Sequence, residues 1–248
     1  MSLLVAGTTA LDSIKTPYAE NPRLLGGSAS HAAVAASFFT QAHLVGAVGE
    51  DFPRKYINLY RKHGLCLEGL DQLMGQTFHW SGEYEVNMNN RRTLDTVLGV
   101  IEGYNPTLPA AYAKLPYVLL ANIHPEVQSR VLDQMKRSKF VVADTMDLWL
   151  NIARRPLLKL LKRIDCLVLN DSEASQLTEE DNIIAAIPRI HRLGPKNVIV
   201  KKGEHGAILS GVFGNLAERG LQRAADDIDA DALVSVGDIE LVQRLGSV

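Results

Sequence analysis

Cysteine is scarce in this chain, and neither sign of charge is in excess. The 248 residues include two cysteines, Cys66 and Cys166, whose wide separation favours neither a zinc site nor a disulfide framework. The simplest inference is a reducing, cytoplasmic compartment. Lysine and arginine number 26 against 28 acidic residues, so the basic excess that is typical of a nucleic-acid-binding protein is missing.

Long hydrophobic runs are missing as well. The first apolar run is short and follows no basic residues, unlike a signal peptide, and no stretch is long enough to span a membrane. We therefore expect neither a membrane nor a nucleic acid as partner. The composition, 46% hydrophobic and 22% charged, is typical of a globular protein with a sizeable core.

What the chain does contain is an alternation of strand-like and helix-like segments. Short apolar runs predict buried strands at 3–6, 42–48, 117–121, 139–143, 166–169 and 197–201. Helical patterns occupy 30–39, 52–63, 126–135, 148–161 and 182–193. This alternation predicts an α/β fold with a mostly parallel sheet and helices on both of its faces.

Two segments interrupt the alternation. Residues 77–101 carry aromatic and polar residues in turn around Asn89-Asn90, which predicts two strands joined by a polar turn. Residues 8–23 are similarly extended. Together the segments, about 12–24 and 77–101, predict a small sheet that projects as a lid; the alternative is an extra hairpin at the edge of the main sheet.

A glycine pair, Gly26-Gly27, precedes an alanine-rich helix that has Ser28 at its start. Two glycines let the backbone approach a ligand closely, and the start of a helix offers unpaired N–H groups to hydroxyl or anionic oxygens. The alternative is a helix-capping turn whose small residues serve close packing.

Two later strands end in polar residues. Asn170 follows one strand, with Glu173 three residues further on, which fits either a capping box or an amide and a carboxylate beside a Mg²⁺-phosphate group. Lys201 ends the other strand, just before Gly203. That lysine lies either near phosphates or in a solvated hairpin turn.

In their order along the chain, these motifs resemble the ribokinase, or PfkB, family of sugar and nucleoside kinases. Residues 44–52, Leu-Val-Gly-Ala-Val-Gly-Glu-Asp-Phe, are similar to the family's Gly-x-Val-Gly-x-Asp-x-Phe segment. The other matching features are Asp12 after the first strand, Gly26-Gly27, Asn170 with Glu173, and the 201–206 loop. The resemblance covers roughly residues 3–209.

The resemblance implies a three-layer αβα sandwich with a small β lid, and transfer of the γ-phosphoryl group of ATP to a hydroxyl of a sugar or nucleoside. The implied substrate-binding residues are Asp12, Gly26, Gly27, Ser28, His31 and Asn122. The implied nucleotide-binding residues are Asn170, Glu173, Lys201 and Gly203, with Glu173 directed to Mg²⁺. His31 stands where many members carry Asn, so the sugar or nucleoside is not identified. A homodimer formed through the lid is a further expectation.

The family's late motif, Asp-Thr-x-Gly-Ala-Gly-Asp, supplies an anion hole and the general base, and no such sequence follows Leu209. Its nearest echo ends at Asp238, a remote candidate for the base. We expect a domain over 1–209 and an atypical tail over 210–248, from truncation, frameshift or genuine variation, with little or no kinase activity. The alternatives are a non-catalytic sugar- or nucleoside-binding remnant and a poorly folded fragment.

Overall fold

The computed structural model describes residues 2–86 and 91–211. The chain divides into two compact units, Met1–Asp144 and Thr145–Val248. The predicted turn at Asn89-Asn90 and the tail from residue 212 onward, Asp238 included, lie outside the described residues. In the described ranges, no helix is long and apolar enough to cross a membrane.

The first unit combines parallel strands with helices. Its strands are β1 (Ser2–Ala6), β2 (Ala10–Lys15), β3 (Glu20–Gly26), β4 (Gln41–Gly49), β5 (Cys66–Leu73), β6 (His79–Tyr84), β7 (Arg91–Val97), β8 (Tyr117–Leu120) and β9 (Phe140–Asp144). Its helices are α1 (Ser28–Ser37), α2 (Arg54–Lys62) and α3 (Pro125–Gln134), with 3₁₀ turns at Gly99–Ile101 and Tyr112–Lys114. Five strands form a parallel sheet in the order β9-β8-β1-β4-β5.

This sheet is buried because its central strands are apolar on both faces. Leu4 and Val5 of β1 have no exposed surface. Two alanines of α1, Ala29 and Ala33, are equally buried, and their small side chains let the helix lie close to the sheet. The helix pattern predicted for 30–39 is therefore confirmed, two residues earlier along the chain.

The other four strands of the first unit form a separate sheet in the order β3-β2-β6-β7, here called the lid. Strands β2 and β3 pair antiparallel, as do β6 and β7, whereas β2 and β6 pair parallel. The predicted small sheet, made from the segments at about 12–24 and 77–101, is confirmed. The alternative of an extra hairpin on the main sheet is wrong.

The second unit repeats the strand–helix pattern. Its helices are α4 (Asp147–Ile152), α5 (Arg154–Leu161), α6 (Asp171–Thr178) and α7 (Ile183–Leu193), and its strands are β10 (Cys166–Asn170), β11 (Asn197–Lys201) and β12 (Ala207–Gly211). Strands β10 and β11 pair parallel. Strands β11 and β12 form an antiparallel hairpin around a 3₁₀ turn at Gly203–His205, as the hairpin interpretation of this loop predicted.

The predicted single helix over 148–161 is wrong, because the structure breaks it into α4 and α5 at Ala153. Pro156 explains the break: it has no N–H to donate, and its ring would clash with the carbonyl of Ile152, four residues earlier. In the first turn of a new helix the same proline is tolerated. Strand β5 is not among the predicted strands, because glycine and charged residues interrupt its leucines.

A buried tyrosine joins the loop after the lid to the main sheet. The Tyr104 side chain is 5% exposed, and its hydroxyl lies 2.7 Å from Oδ2 of Asp71 and 3.0 Å from the carbonyl oxygen of Gly46. Burial and the neighbouring Asp71 carboxylate both raise the pKa of Tyr104, so the phenol stays protonated and donates.

We expect Tyr104→Phe to lower the free energy of unfolding by about 1–3 kcal/mol, because both acceptors lose this donor. Urea denaturation would measure the change. Tyr18→Phe is the matched control, since the Tyr18 side chain is 81% exposed, and its effect should stay within about 0.5 kcal/mol. Equal stabilities for the two variants would contradict the prediction.

Candidate functional site

The lid brings Asp12 to the backbone of the glycine pair. Asp12 lies in β2, opposite Leu24 of β3 and Trp80 of β6. Its carboxyl group accepts a hydrogen bond from the N–H of Gly27. The sequence thus places the carboxylate and the glycines on separate segments, and the β2–β3 pairing puts them in contact.

Neither glycine can be replaced without disturbing this contact. A Cβ atom at Gly26 would lie 2.0 Å from Oδ2 of Asp12. At Gly27 the backbone has φ 91°, which side chains rarely adopt, and a Cβ would lie 2.4 Å from the carbonyl oxygen of Thr8. The glycine pair therefore serves the close approach of a carboxylate as well as the turn into α1.

Asp12 titrates near neutrality because it is largely enclosed. Burial raises its pKa from the ordinary value of 3.8 to about 6, and the hydrogen bond from Gly27 offsets part of that rise. At neutral pH the group is mostly ionised and acts only as an acceptor. Hydroxyl groups of a ligand are the natural donors for such a carboxylate.

Thr8, which the motif analysis did not select, organises the start of α1. Its Oγ1 accepts from the N–H of Ser28 at 3.2 Å, and its carbonyl accepts from the N–H of Ala29 at 3.0 Å. The prediction that the helix start offers unpaired N–H groups is therefore wrong at these two positions. The only sequence signal was a threonine directly after the first strand and Gly7.

Asn122 belongs to the same cluster through its backbone. Its carbonyl oxygen accepts from the N–H of Thr8 at 3.1 Å and from Oγ of Ser28 at 3.2 Å. The ends of β1 and β8 and the start of α1 thus meet at one point. His31 lies in the first turn of α1 with an exposed side chain, and its N–H donates to the carbonyl of Gly27 at 3.3 Å.

In the second unit, Asn170 and Glu173 form a complete capping box. Asn170 Oδ1 accepts from the N–H of Glu173 at 2.8 Å, and Glu173 Oε2 accepts from the N–H of Asn170 at 2.7 Å. The Glu173 side chain is buried, at 5% exposure. The capping interpretation is confirmed, and it accounts for the start of α6 without a ligand.

Lys201 lies beside Asn170, because the two residues are register partners at the carboxyl ends of β10 and β11. Gly203 follows with φ 56°, and a Cβ there would meet nothing within 4 Å. The four predicted nucleotide-binding residues thus share one edge of the second unit. Open space at Gly203 leaves room for a ligand to approach the backbone.

A metal ion bound by protein groups alone would need several oxygen or nitrogen ligands. Within residues 2–86 and 91–211, no group of three or more His, Cys, Asp or Glu side chains could hold one. Glu173 is a single buried carboxylate, which suits an ion that brings most of its ligands as water and phosphate, as Mg²⁺ does.

Comparison with known proteins decides the family. Residues 20–223 match the pfkB family of carbohydrate kinases. The chain belongs to this family. The match continues past Leu209, and the expected loss of the family's C-terminal motif is not confirmed by it.

Individual relatives agree with this assignment. The chain is 25% identical over 213 residues to a cytidine kinase of Thermococcus kodakarensis, covering 84% of this chain and 76% of that protein. Two solved structures are similar in fold. The Arabidopsis thaliana ribokinase complexed with ribose and ATP has a TM-score of 0.68 at 22% identity, over 86% of this chain and 75% of that one. The Burkholderia thailandensis nucleoside kinase in complex with inosine has a TM-score of 0.64 at 17% identity, over 86% and 74%.

These similarities confirm the predicted ribokinase-like α/β fold.

We expect Gly26→Ala to destabilise the PfkB-family chain by about 1–3 kcal/mol, because the new methyl group would overlap the Asp12 carboxylate. In an Asp12→Ala background the same change should cost much less. A double-mutant cycle from urea denaturation would measure this coupling. Additive effects in the two backgrounds would contradict the described contact.

Proposed function

We propose that the protein is a PfkB-type kinase that binds a sugar or nucleoside in its first unit, with Asp12 as the acceptor for substrate hydroxyls. The observation that carries the proposal is the Asp12 carboxylate held against the backbone of Gly26 and Gly27. The N–H of Gly27 donates to the carboxyl group. Its remaining acceptor capacity is available to a diol, which offers two donors at the spacing of a carboxylate.

The named ligands of the relatives support a substrate that contains a ribose ring. The cytidine kinase and the inosine-bound kinase are named for nucleosides, and the ribokinase was solved with ribose. A ribose ring is common to all three ligands, and its neighbouring hydroxyls are what Asp12 would bind. Ser28 and Asn122 adjoin the start of α1, and His31 lies on its first turn, where it would contact whatever the ribose carries.

MgATP would be the second substrate, bound by the second unit. Lys201 supplies a positive charge for phosphate, and Gly203 leaves its backbone open to close approach. Asn170 and Glu173 would face the Mg²⁺ ion that accompanies ATP, which neutralises charge on the transferred phosphoryl group. The protein's own contribution is then to position the substrate hydroxyl and to accept its proton at a general base. Asp238, the remote candidate for that base, lies outside the described residues.

A second candidate function is binding without phosphoryl transfer. The observation that favours it is the sequence after Leu209, which contains no Asp-Thr-x-Gly-Ala-Gly-Asp motif. Removing preorganised donors of this kind costs on the order of 10²–10³ in rate, so transfer would be slow even with both substrates bound.

The two candidates are separated by measuring binding and transfer independently. Calorimetry with ribose, cytidine and inosine tests the first unit, and release of ADP in the presence of MgATP tests transfer. Binding with turnover supports the kinase, and binding without turnover supports the second candidate. Absence of binding by all three ligands would refute the proposed substrate class.

We expect Asp12→Asn to weaken binding of the ligand at least about tenfold, because two charge-assisted hydrogen bonds become neutral ones. The matched control is Asp95→Asn, an exposed carboxylate on the lid strand β7, which should leave the affinity unchanged. Equal affinities for the wild type and the Asp12 variant would remove Asp12 from the site.

The affinity should also depend on pH with a midpoint at about 6, the raised pKa of Asp12. Because the ionised form accepts the hydroxyl protons, affinity rises with pH through that midpoint, and it stays flat in Asp12→Asn. Stability of the free protein follows the opposite trend. Since the folded-state pKa lies above the ordinary value of 3.8, the carboxyl group favours folding while protonated, and that contribution is lost as the pH rises through about 6. Titration calorimetry and thermal unfolding across this range would check both signs.

A further inference from the structure

Asp51, just after β4 in the main sheet of the first unit, contacts both hairpins of the lid. Its Oδ1 accepts from the backbone N–H of Thr77 at 2.8 Å and from the Thr77 hydroxyl at 2.7 Å. Its Oδ2 accepts from Nη2 of Arg23 at 2.6 Å. Thr77 leads into β6 and Arg23 lies in β3, so one carboxylate ties both hairpins of the lid to the main sheet.

The hydrogen bonds between Thr77 and Asp51 are partly buried and form a rigid attachment of the lid to the main sheet. Thr77 is 1% exposed, and its Oγ1 also accepts from the N–H of Gly49, the last residue of β4, at 2.9 Å. A buried group with this many satisfied bonds is costly to release. The second hairpin of the lid is therefore anchored where it leaves the main sheet.

The ion pair between Arg23 and Asp51, unlike the bonds of Thr77, is exposed to solvent. The Arg23 side chain is 50% exposed and that of Asp51 is 28% exposed. Arg23 adopts φ 53°, opposite the irregularity in β2 between Asp12 and Ile14, and its N–H donates to Oγ of Ser13 at 3.2 Å. In this conformation the Arg23 side chain leaves the lid, and its guanidinium group contacts Asp51. A further bond, from the hydroxyl of Tyr56 in α2 to the carbonyl of Arg23, spans 3.2 Å.

Asp51 remains ionised under ordinary conditions. Burial alone would raise its pKa, but the hydrogen bonds from Thr77 and Arg23 outweigh burial and lower it. Exposed ion pairs of this geometry form and break readily and are weakened by salt.

We propose that the Arg23–Asp51 ion pair is a latch that holds β2 and β3, and with them Asp12, in the binding position, while Thr77 is the fixed end about which the lid opens. The role of Asp12 in ligand binding rests on the proposed function. The latch itself is a property of the free protein. Arg23 is a positioning residue, since it acts on Asp12 through the pairing of Leu24 with Asp12 in the lid.

Hydrogen–deuterium exchange of the ligand-free, full-length chain tests the latch. Arg23→Gln should speed exchange in peptides from β2 and β3 about twofold to fivefold, the range for loss of an exposed ion pair, with β1, β4 and β8 unchanged. Arg23→Lys retains the positive charge and should restore most of the protection. In the wild type, added salt should speed exchange toward that of Arg23→Gln, and the variant should not respond.

The matched control is Arg92→Gln. Arg92 also donates through Nη2 to a carboxylate, Oε2 of Glu83 at 2.7 Å, but that pair lies wholly within the lid. The Arg92→Gln variant should therefore show hydrogen–deuterium exchange in β2 and β3 at the wild-type rate.

The exchange rates of the Arg23→Gln variant either support or overturn the latch. Faster exchange confined to the lid, with rescue by lysine, supports the latch. Unchanged exchange in Arg23→Gln overturns it. Faster exchange across the whole first unit also overturns it, because Arg23 would then stabilise the fold in general. None of these readouts needs a ligand, so a failure of the proposed binding function would show separately, in calorimetry.

Discussion

The arrangement of the lid and of the start of α1 in the first unit depends on the contact of the Asp12 carboxylate with the backbone of Gly26 and Gly27. A carboxylate can approach a backbone this closely only where no Cβ intervenes, and only if the strands that carry the two partners are paired in one register. The lid, the turn into α1 and the hydrogen bonds of Thr8 all act to hold that register. Burial of the carboxylate under these constraints is also what moves its pKa toward neutrality.

The two units use their glycines and carboxylates differently. In the first unit the Asp12 carboxylate is enclosed, which raises its pKa, and it is held against the backbone of Gly26 and Gly27. In the second, the Glu173 carboxylate is enclosed but takes part in the capping box that starts α6. A residue that starts a helix and also contacts a nucleotide would couple the fold of that unit to its chemistry.

Much of the fold follows from the sequence, because apolar runs and helical spacing are local signals. The strands β1, β4, β8, β9, β10 and β11, the lid segments and the capping box at Asn170 are all predicted close to their observed bounds. The break between α4 and α5 at Ala153 is not predicted, because the helical spacing of the leucines continues across Pro156, the residue that interrupts the helix. Strand β5 is interrupted by polar residues, so its burial depends on neighbours that no local pattern reveals.

The site was partly predictable for the same reason. Asp12 and the glycine pair carry a recognisable order, but the bonds of Thr8 depend on three chain segments meeting, and the Arg23–Asp51 pair joins residues 28 positions apart. The raised pKa of Asp12 is likewise a property of enclosure by the lid. Long-range pairings of this kind have no signature in spacing or composition.

The parallel pairing of β2 with β6 has a consequence for how the protein folds. Leu11 is the register partner of His79, and between them the chain forms β3, α1, β4, α2 and β5. Closing so long a loop costs conformational entropy that is recovered only once those elements are in place. The two hairpins of the lid can therefore pair with each other only after the intervening elements have brought β2 and β6 together. A population of molecules with an intact core and unpaired lid hairpins would be compact and cooperative in its melting, yet would lack the contact of Asp12 with Gly26 and Gly27.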